Sequence, residues 1–266
     1  MADRPASAPT NALRKLTASL AAAKGRRRSG LFAAEGTKCV LDTLGAFRLR
    51  YVAATADWLA AHQIGPEADG ADIYECRRAD LVEMTSLSLA PDVIAAFEIP
   101  QPETFDPASL DGRLTLALDR VQDPGNLGTI IRTADWMGVS RILASADTAD
   151  CFNPKTVQAT MGALARVRLV YGDLPAMLAE ARSRGIEVAG TFLDGVDIYT
   201  AALPRQAVIV MGNEGSGIGP EAAAHVSSRL LIPSYPPGRP TSESLNVATA
   251  TAIVLSQFVS RNYGKD

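Results

Sequence analysis

The stretch LDRVQDPGNLGTIIRTADWMG, Leu118 to Gly138, carries the change of hydrophobic period that decides the fold. Before it, LTLAL (114–118) is a short apolar run of the kind that forms a buried strand. Asp123-Pro124-Gly125-Asn126 then supplies turn and N-capping residues, and an amphipathic helix begins at about Leu127. The same alternation recurs downstream. Candidate strands are RILAS (141–145), RVRLV (166–170), EVAGTF (187–192), VIVM (208–211) and RLLI (229–232), with helical segments between most of them and a long one from about Ser244 to Val259. Alternating strand and helix predicts an α/β domain with a mostly parallel sheet covered on both faces and ligands at the carboxyl ends of the strands.

Upstream, short apolar strands near 31–34, 49–54 and 73–76 alternate with helical segments and predict a second, small α/β domain. The Pro- and acid-containing IPQPETFDPASLDG (Ile99 to Gly112) reads as the connection. The expected division is residues 1–100, a linker over 101–112, and 113–266.

Of 266 residues, 47% are hydrophobic and 21% charged, with 26 Lys+Arg against 29 Asp+Glu. A net charge of −3 excludes a chain that coats nucleic acid by bulk electrostatics, but not a local patch. Residues 1–50 hold ten bases and three acids, a local +7, while 51–100 hold two bases and nine acids. KGRRRSG, Lys24 to Gly30, follows a helical pattern over 12–23 and centres the basic segment. It can be a solvated helix end whose cations complement the macrodipole, or a phosphate-contacting patch of Lys24, Arg26, Arg27 and Arg28. Cys39, Cys76 and Cys151 have neither disulfide-framework nor metal-site spacing, and the N-terminus lacks the apolar core of a signal peptide. The expectation is a protein of the reducing cytoplasm, without metal and without membrane.

Three loops at strand ends are the candidates for the chemistry, although the first by itself also reads as an ordinary strand-to-helix connection with a surface Arg, and the third as a helix N-cap after a rigid loop. The first holds Asn126 and, six residues on, Arg132. The second, VIVMGNEGSGIGPE (Val208 to Glu221), places four glycines and Glu214 after a buried strand, allowing close backbone approach to a ligand. It matches neither a phosphate loop nor a GxSxG nucleophile elbow. The third runs from Leu230 through a Pro-rich loop to Ser244-Leu245-Asn246 at the opening of the last helix, where Ser244 reads as the N-cap. His62 and His225 give a Ser-His-Asp or His-metal mechanism little material.

Taken in order, DPGNLGTIIRTADWMG, MGNEGSGI and IP…SLNVATATAI resemble the three motifs of the SpoU branch of the SPOUT methyltransferases. The N-terminal segment resembles the small substrate-binding domain many members carry, through Arg28, Gly30, Phe32 and Glu35-Gly36. The resemblance implies an S-adenosyl-L-methionine-dependent enzyme that methylates a ribose 2′-hydroxyl of rRNA or tRNA, a C-terminal deep trefoil knot, and a homodimer. It implies catalytic roles for Asn126, Arg132, Glu214, Ser244 and Asn246, and cofactor contacts from Gly190, Thr191, Gly212, Ile232 and Leu245. The loop SYPPGRPTSE is longer than the common form, and Arg239 within it is a further expected RNA contact beside the basic N-terminal residues. A SPOUT base methyltransferase and a non-catalytic RNA-binding or ribosome-assembly factor are the alternatives. The Asn126/Arg132 and Ser244-Leu245-Asn246 set favours ribose chemistry.

Overall fold

The computed structural model describes residues 6–62, 64–65, 70–237, 240 and 242–263. Arg239 lies outside them. The chain divides into two compact units, 1–101 with 150–165, and 102–149 with 166–266.

The first unit opens with α1 (Asn11–Ser19), started by the Thr10 side chain accepting from Leu13 N. The helical pattern expected over 12–23 breaks here, and a second helix, α2 (Ala23–Ser29), follows and ends on Gly30 at φ +68°. A four-stranded sheet is then built from β1 (Leu31–Glu35), β2 (Leu49–Ala54), β3 (Asp72–Glu75) and β4 (Val93–Glu98), in the order β1-β4-β2-β3. β4 pairs antiparallel with β1 and β2, and β2 pairs parallel with β3. Strand β4 is absent from the sequence expectation, although VIAAFE is buried over its first five residues. A fully buried strand has no period-2 alternation to mark it. Helices α3 (Thr37–Thr43), α4 (Ala56–Ala61) and α5 (Arg78–Met84) complete the chain up to residue 101.

The second unit is a six-stranded sheet, parallel throughout, of β5 (Leu114–Leu118), β6 (Arg141–Ser145), β7 (Arg168–Gly172), β8 (Glu187–Asp197), β9 (Ala207–Met211) and β10 (Ser228–Leu231). Their order is β10-β8-β9-β5-β6-β7. From β5 the chain steps outward through β6 to β7, then crosses to the other side for β8. The reversal falls between β5 and β9, the switch point where open α/β sheets bind ligands beyond their carboxyl ends. Helix α6 (Pro124–Trp136) starts on Asp123, whose side chain accepts from Asn126 N, with Pro124 in the first helical position. Helix α8 (Leu174–Ser183) packs Leu178 and Ala181 into a core with Leu143, Val170, Val188 and Val210. After the short α9 (Pro220–Ala223), the last helix, α10 (Val247–Asn262), packs on α6.

Two expected boundaries change. Leu110, in the short 3-10 turn 107–110, is buried in the second unit's core with Phe105 packed against that core, so most of the linker stretch belongs to that unit. Residues 150–165, expected in the second domain, group with the first. Helix α7 (Pro154–Thr160) packs on β1, and Phe152 packs against Phe32 (tilted) and Phe47 (edge-on), with ring centroids 4.8 and 6.0 Å away. Apolar surface on both sides of the interruption overrides sequence order. No described helix is long and apolar enough to cross a membrane.

Candidate functional site

The loops after β5 and β9 are laced together at the switch point. Asp119, buried behind Leu118, accepts from Gly219 N at 2.6 Å. Arg120 follows at φ +58°, a left-handed conformation uncommon for a residue with a Cβ. Four interactions hold it there. Its N–H donates to Ser145 Oγ (2.9 Å), its carbonyl accepts from Asn213 Nδ2 (2.8 Å), and its guanidinium reaches Asp119 and Gly217 O. The hydrogen bond and charge of Asp119 push the Arg120 pKa above its usual value. Sequence reading missed Asp119, Arg120 and Asn213. The only local signal was an Asn before Gly-rich sequence, a residue type that caps turns with its own side chain. Asn213 Oδ1 does this, accepting from Gly215 N (2.9 Å) and Ser216 N (3.1 Å).

Glycine is required at 212 because a Cβ there would lie 2.2 Å from the Gly217 carbonyl carbon. The loop thus folds back on itself, Asn213 and Gly217 exchanging backbone hydrogen bonds at 3.0 Å. The fold-back projects Glu214 toward α6.

Asn126, Glu214 and Asn246 meet in one ladder of hydrogen bonds. Asn246 caps α10, its Oδ1 accepting from Ala248 N (2.9 Å) and Thr249 N (3.2 Å). That leaves its Nδ2 to donate to Asn126 Oδ1 at 2.9 Å. Asn126 Nδ2 donates to Glu214 Oε1 at 2.9 Å, and Asn213 Nδ2 lies 3.4 Å from Glu214 Oε2. The direction of the ladder is dictated at both ends. Backbone amides, which can only donate, fix Asn246, and a carboxylate, which can only accept, terminates at Glu214. Three residues from three separate loops are therefore oriented without ambiguity, with Asn246 exposed and the other two half-buried.

The remaining expected residues are placed as follows. Arg132 is exposed on α6, about 9 Å further along the axis than Asn126 and about 120° round it, and does not join the ladder. Ser244 is exposed and outside the ladder. It is Asn246, and not Ser244, that caps the last helix, which begins at Val247. Ile232 follows the end of β10, and Leu245 is half-exposed beside Asn246. Gly190 and Thr191 lie within β8, which continues to Asp197 where the sequence predicted its end at 192. Gly190 is nonetheless the last residue of β8 paired with β9. Lys24, Arg27 and Arg28 are exposed. Arg26 is 3% exposed with its guanidinium bonded to Leu20 O, Ala21 O and Asp150, so it has no free face for a phosphate. Among the described residues no group of three His, Cys, Asp or Glu side chains could hold a metal ion.

A parallel sheet whose switch point joins three strand-end loops through an Asn-Asn-Glu ladder defines a polar ligand site at the carboxyl ends of its strands. Residues 113–256 match the model of the SpoU rRNA Methylase family, and the chain belongs to that family. The 23S rRNA (guanosine(2553)-2′-O)-methyltransferase RlmP of Bacillus subtilis is 38% identical over 144 residues, a match covering 54% of this chain and 56% of that relative. The chain thus spans about half the length of that relative. Among solved structures, a TrmH-family protein from Porphyromonas gingivalis superposes with TM-score 0.86 at 39% identity, covering 96% of this chain and all of the other. An AdoMet-bound rRNA methyltransferase from Sinorhizobium meliloti superposes with TM-score 0.82 at 31% identity, over 97% of each chain.

Proposed function

We propose that the protein methylates a ribose 2′-hydroxyl of ribosomal RNA with S-adenosyl-L-methionine as donor. The observation that carries this reading is the ladder Asn246, Asn126, Glu214, which joins all three strand-end loops at the switch point. The resemblance assigns Gly212, Ile232 and Leu245 to the adenosyl group, and the tight fold-back at Gly212, where a Cβ would meet the Gly217 and Ile218 backbone, supports a shaped loop at that place. Gly190 and Thr191 would add walls from β8, and the C-terminal threading implied by family membership would close the cradle.

The sulfonium donor supplies an already activated methyl group, so the protein has to align a hydroxyl and help a weak acid lose its proton. Asn126, held by Glu214, presents fixed polar atoms toward the ribose, and Ser244 and Asn246 orient it from the third loop. Arg132 grips the phosphate beside the target ribose and eases the developing negative charge. A guanidinium stays protonated in nearly all settings, so the phosphate clamp is the sounder role than proton acceptor. RNA fits as partner because the 2′-hydroxyl is what distinguishes it from DNA. Lys24, Arg27 and Arg28 offer exposed cations to its backbone.

A homodimer belongs to the same reading. Trp136 is 86% exposed on α6, and Tyr263 is exposed at the end of α10, which packs on α6. A second copy covering these helices would bury both aromatics. Cys39, Cys76 and Cys151 are all buried, which suits the reducing cytoplasm.

The test is nucleoside mass spectrometry of ribosomal RNA from cells with and without the protein. The expected result is one 2′-O-methyl nucleoside lost on deletion and restored by the wild-type chain. No missing nucleoside overturns the proposal.

A further inference from the structure

Helix α2 presents two faces of opposite use. At about 100° per residue, Lys24, Arg27 and Arg28 fall within one arc, and Arg26 points to the far side. The three are exposed and Arg26 is buried. Gly25 lets the helix sit on α1 more closely than any side chain permits, since a Cβ would lie 1.9 Å from Ser19 O. Arg26 Nη1 donates to Leu20 O (2.9 Å) and Ala21 O (3.1 Å), carbonyls left open where α1 ends. Its Nε and Nη2 donate to Asp150 Oδ2 at 3.1 and 2.7 Å, across 124 residues of sequence.

We propose that Arg26 is a positioning residue for RNA binding. With Asp150 it clamps α2 to the end of α1, so that the Lys24/Arg27/Arg28 face is held ready for the phosphate backbone. The proposal rests on the reading of that face as RNA-binding. Cations fixed before binding lose less conformational freedom on contact than cations on a loose segment. The brace comes from the 150–165 stretch, which lies between β6 and β7 in sequence yet packs in the first unit. Arg26 is buried while the Asp150 side chain is 44% exposed, so loss of Asp150 leaves the guanidinium without its counter-charge, and loss of Arg26 removes the bonds that tie α2 to both the α1 end and Asp150.

Positioning and direct contact differ in salt dependence. Each lost phosphate contact lowers the slope of log affinity against log salt by about 0.7 to 0.9. A loosened helix keeps its cations and therefore its slope. The experiment measures binding of the full-length protein to transcribed 23S ribosomal RNA over a salt series, with circular dichroism melting to verify folding. Lys24→Ala/Arg27→Ala/Arg28→Ala is expected to lose affinity and slope together. Asp150→Asn is expected to weaken binding about tenfold with the slope unchanged, although it removes an acid and simple charge counting predicts tighter binding. Asp150→Glu restores most of the affinity. Arg26→Gln should behave as Asp150→Asn does. Should Arg26→Gln not fold, Asp150→Asn decides alone, because it leaves both carbonyl bonds of Arg26 in place. If the triple variant loses slope while Asp150→Asn binds as well as wild type or better, the positioning role is overturned. If the triple variant binds unchanged, the RNA reading of the face fails instead.

Discussion

Asn126 Nδ2 donates to Glu214 Oε1 at 2.9 Å, joining the helix after β5 to the glycine loop after β9 across 88 residues of sequence. Because Asn246 holds the other end of the Asn126 amide, neither amide can flip without breaking two bonds. Asn126→Ala should lower methyl transfer roughly 10²- to 10³-fold, the usual cost of removing a preorganised polar group from a reacting centre. Asn126→Asp should be worse, since it sets a second carboxylate against Glu214. Transfer of labelled methyl to ribosomal RNA measures both. Activity of Asn126→Asp near wild type would remove the ladder from the mechanism.

Gly212→Ala places a Cβ 2.2 Å from the Gly217 carbonyl carbon, so the fold-back must open. The expected result is a loss of S-adenosyl-L-methionine affinity of about tenfold or more, ~1.4 kcal/mol, with RNA affinity retained. Isothermal titration with each ligand separates the two.

Arg132→Lys keeps the charge and loses the bidentate fork. At saturating RNA the methylation rate should fall about 10- to 100-fold. A lysine variant with nearly full rate would discard both the clamp and the proton-acceptor role for Arg132.

Acid should weaken the first unit through Asp80. Burial alone would raise its pKa, but hydrogen bonds and charge from Arg77, with a 2.6 Å bond from Arg14, hold it below the usual carboxylate value. A group with a depressed folded pKa contributes stability that is present above the unfolded pKa, near the ordinary aspartate value of 3.8, and lost as pH falls through the folded one. Thermal midpoints taken between neutral pH and about pH 3 should therefore fall less steeply for Asp80→Asn than for wild type.

Thiol accessibility gives an independent check on packing. Burial pushes the Cys39 and Cys76 thiols up to about 11, so at pH 8 neither is expected to react with a chromogenic disulfide reagent until the chain unfolds. Rapid labelling of the native protein would contradict their buried placement.

Local chemistry alone determined a good deal of this protein. The buried runs of β5, β6 and β9 act over a few residues, and their reading matches the structure, while the helix expected from about Leu127 starts three residues earlier, at Pro124 on the Asp123 cap. Asn126 and Glu214 stood out in strand-end loops, while the catalytic roles of Asn126, Glu214 and Asn246 came from the resemblance of the three loops to the SpoU motifs. Other features depended on partners far along the chain. Strand β4 hid in a uniform apolar run, and Ser244 read as the N-cap of the last helix where the structure gives that place to Asn246, whose amide also bonds Asn126. Arg26 looked like Arg27 and Arg28 in sequence, and only the packing of Gly25 on Ser19 and the placement of Asp150 turned it inward. Charge pattern reports which residues are cationic. Burial decides which of them reach solvent, and burial is a property of what the rest of the chain places next to them.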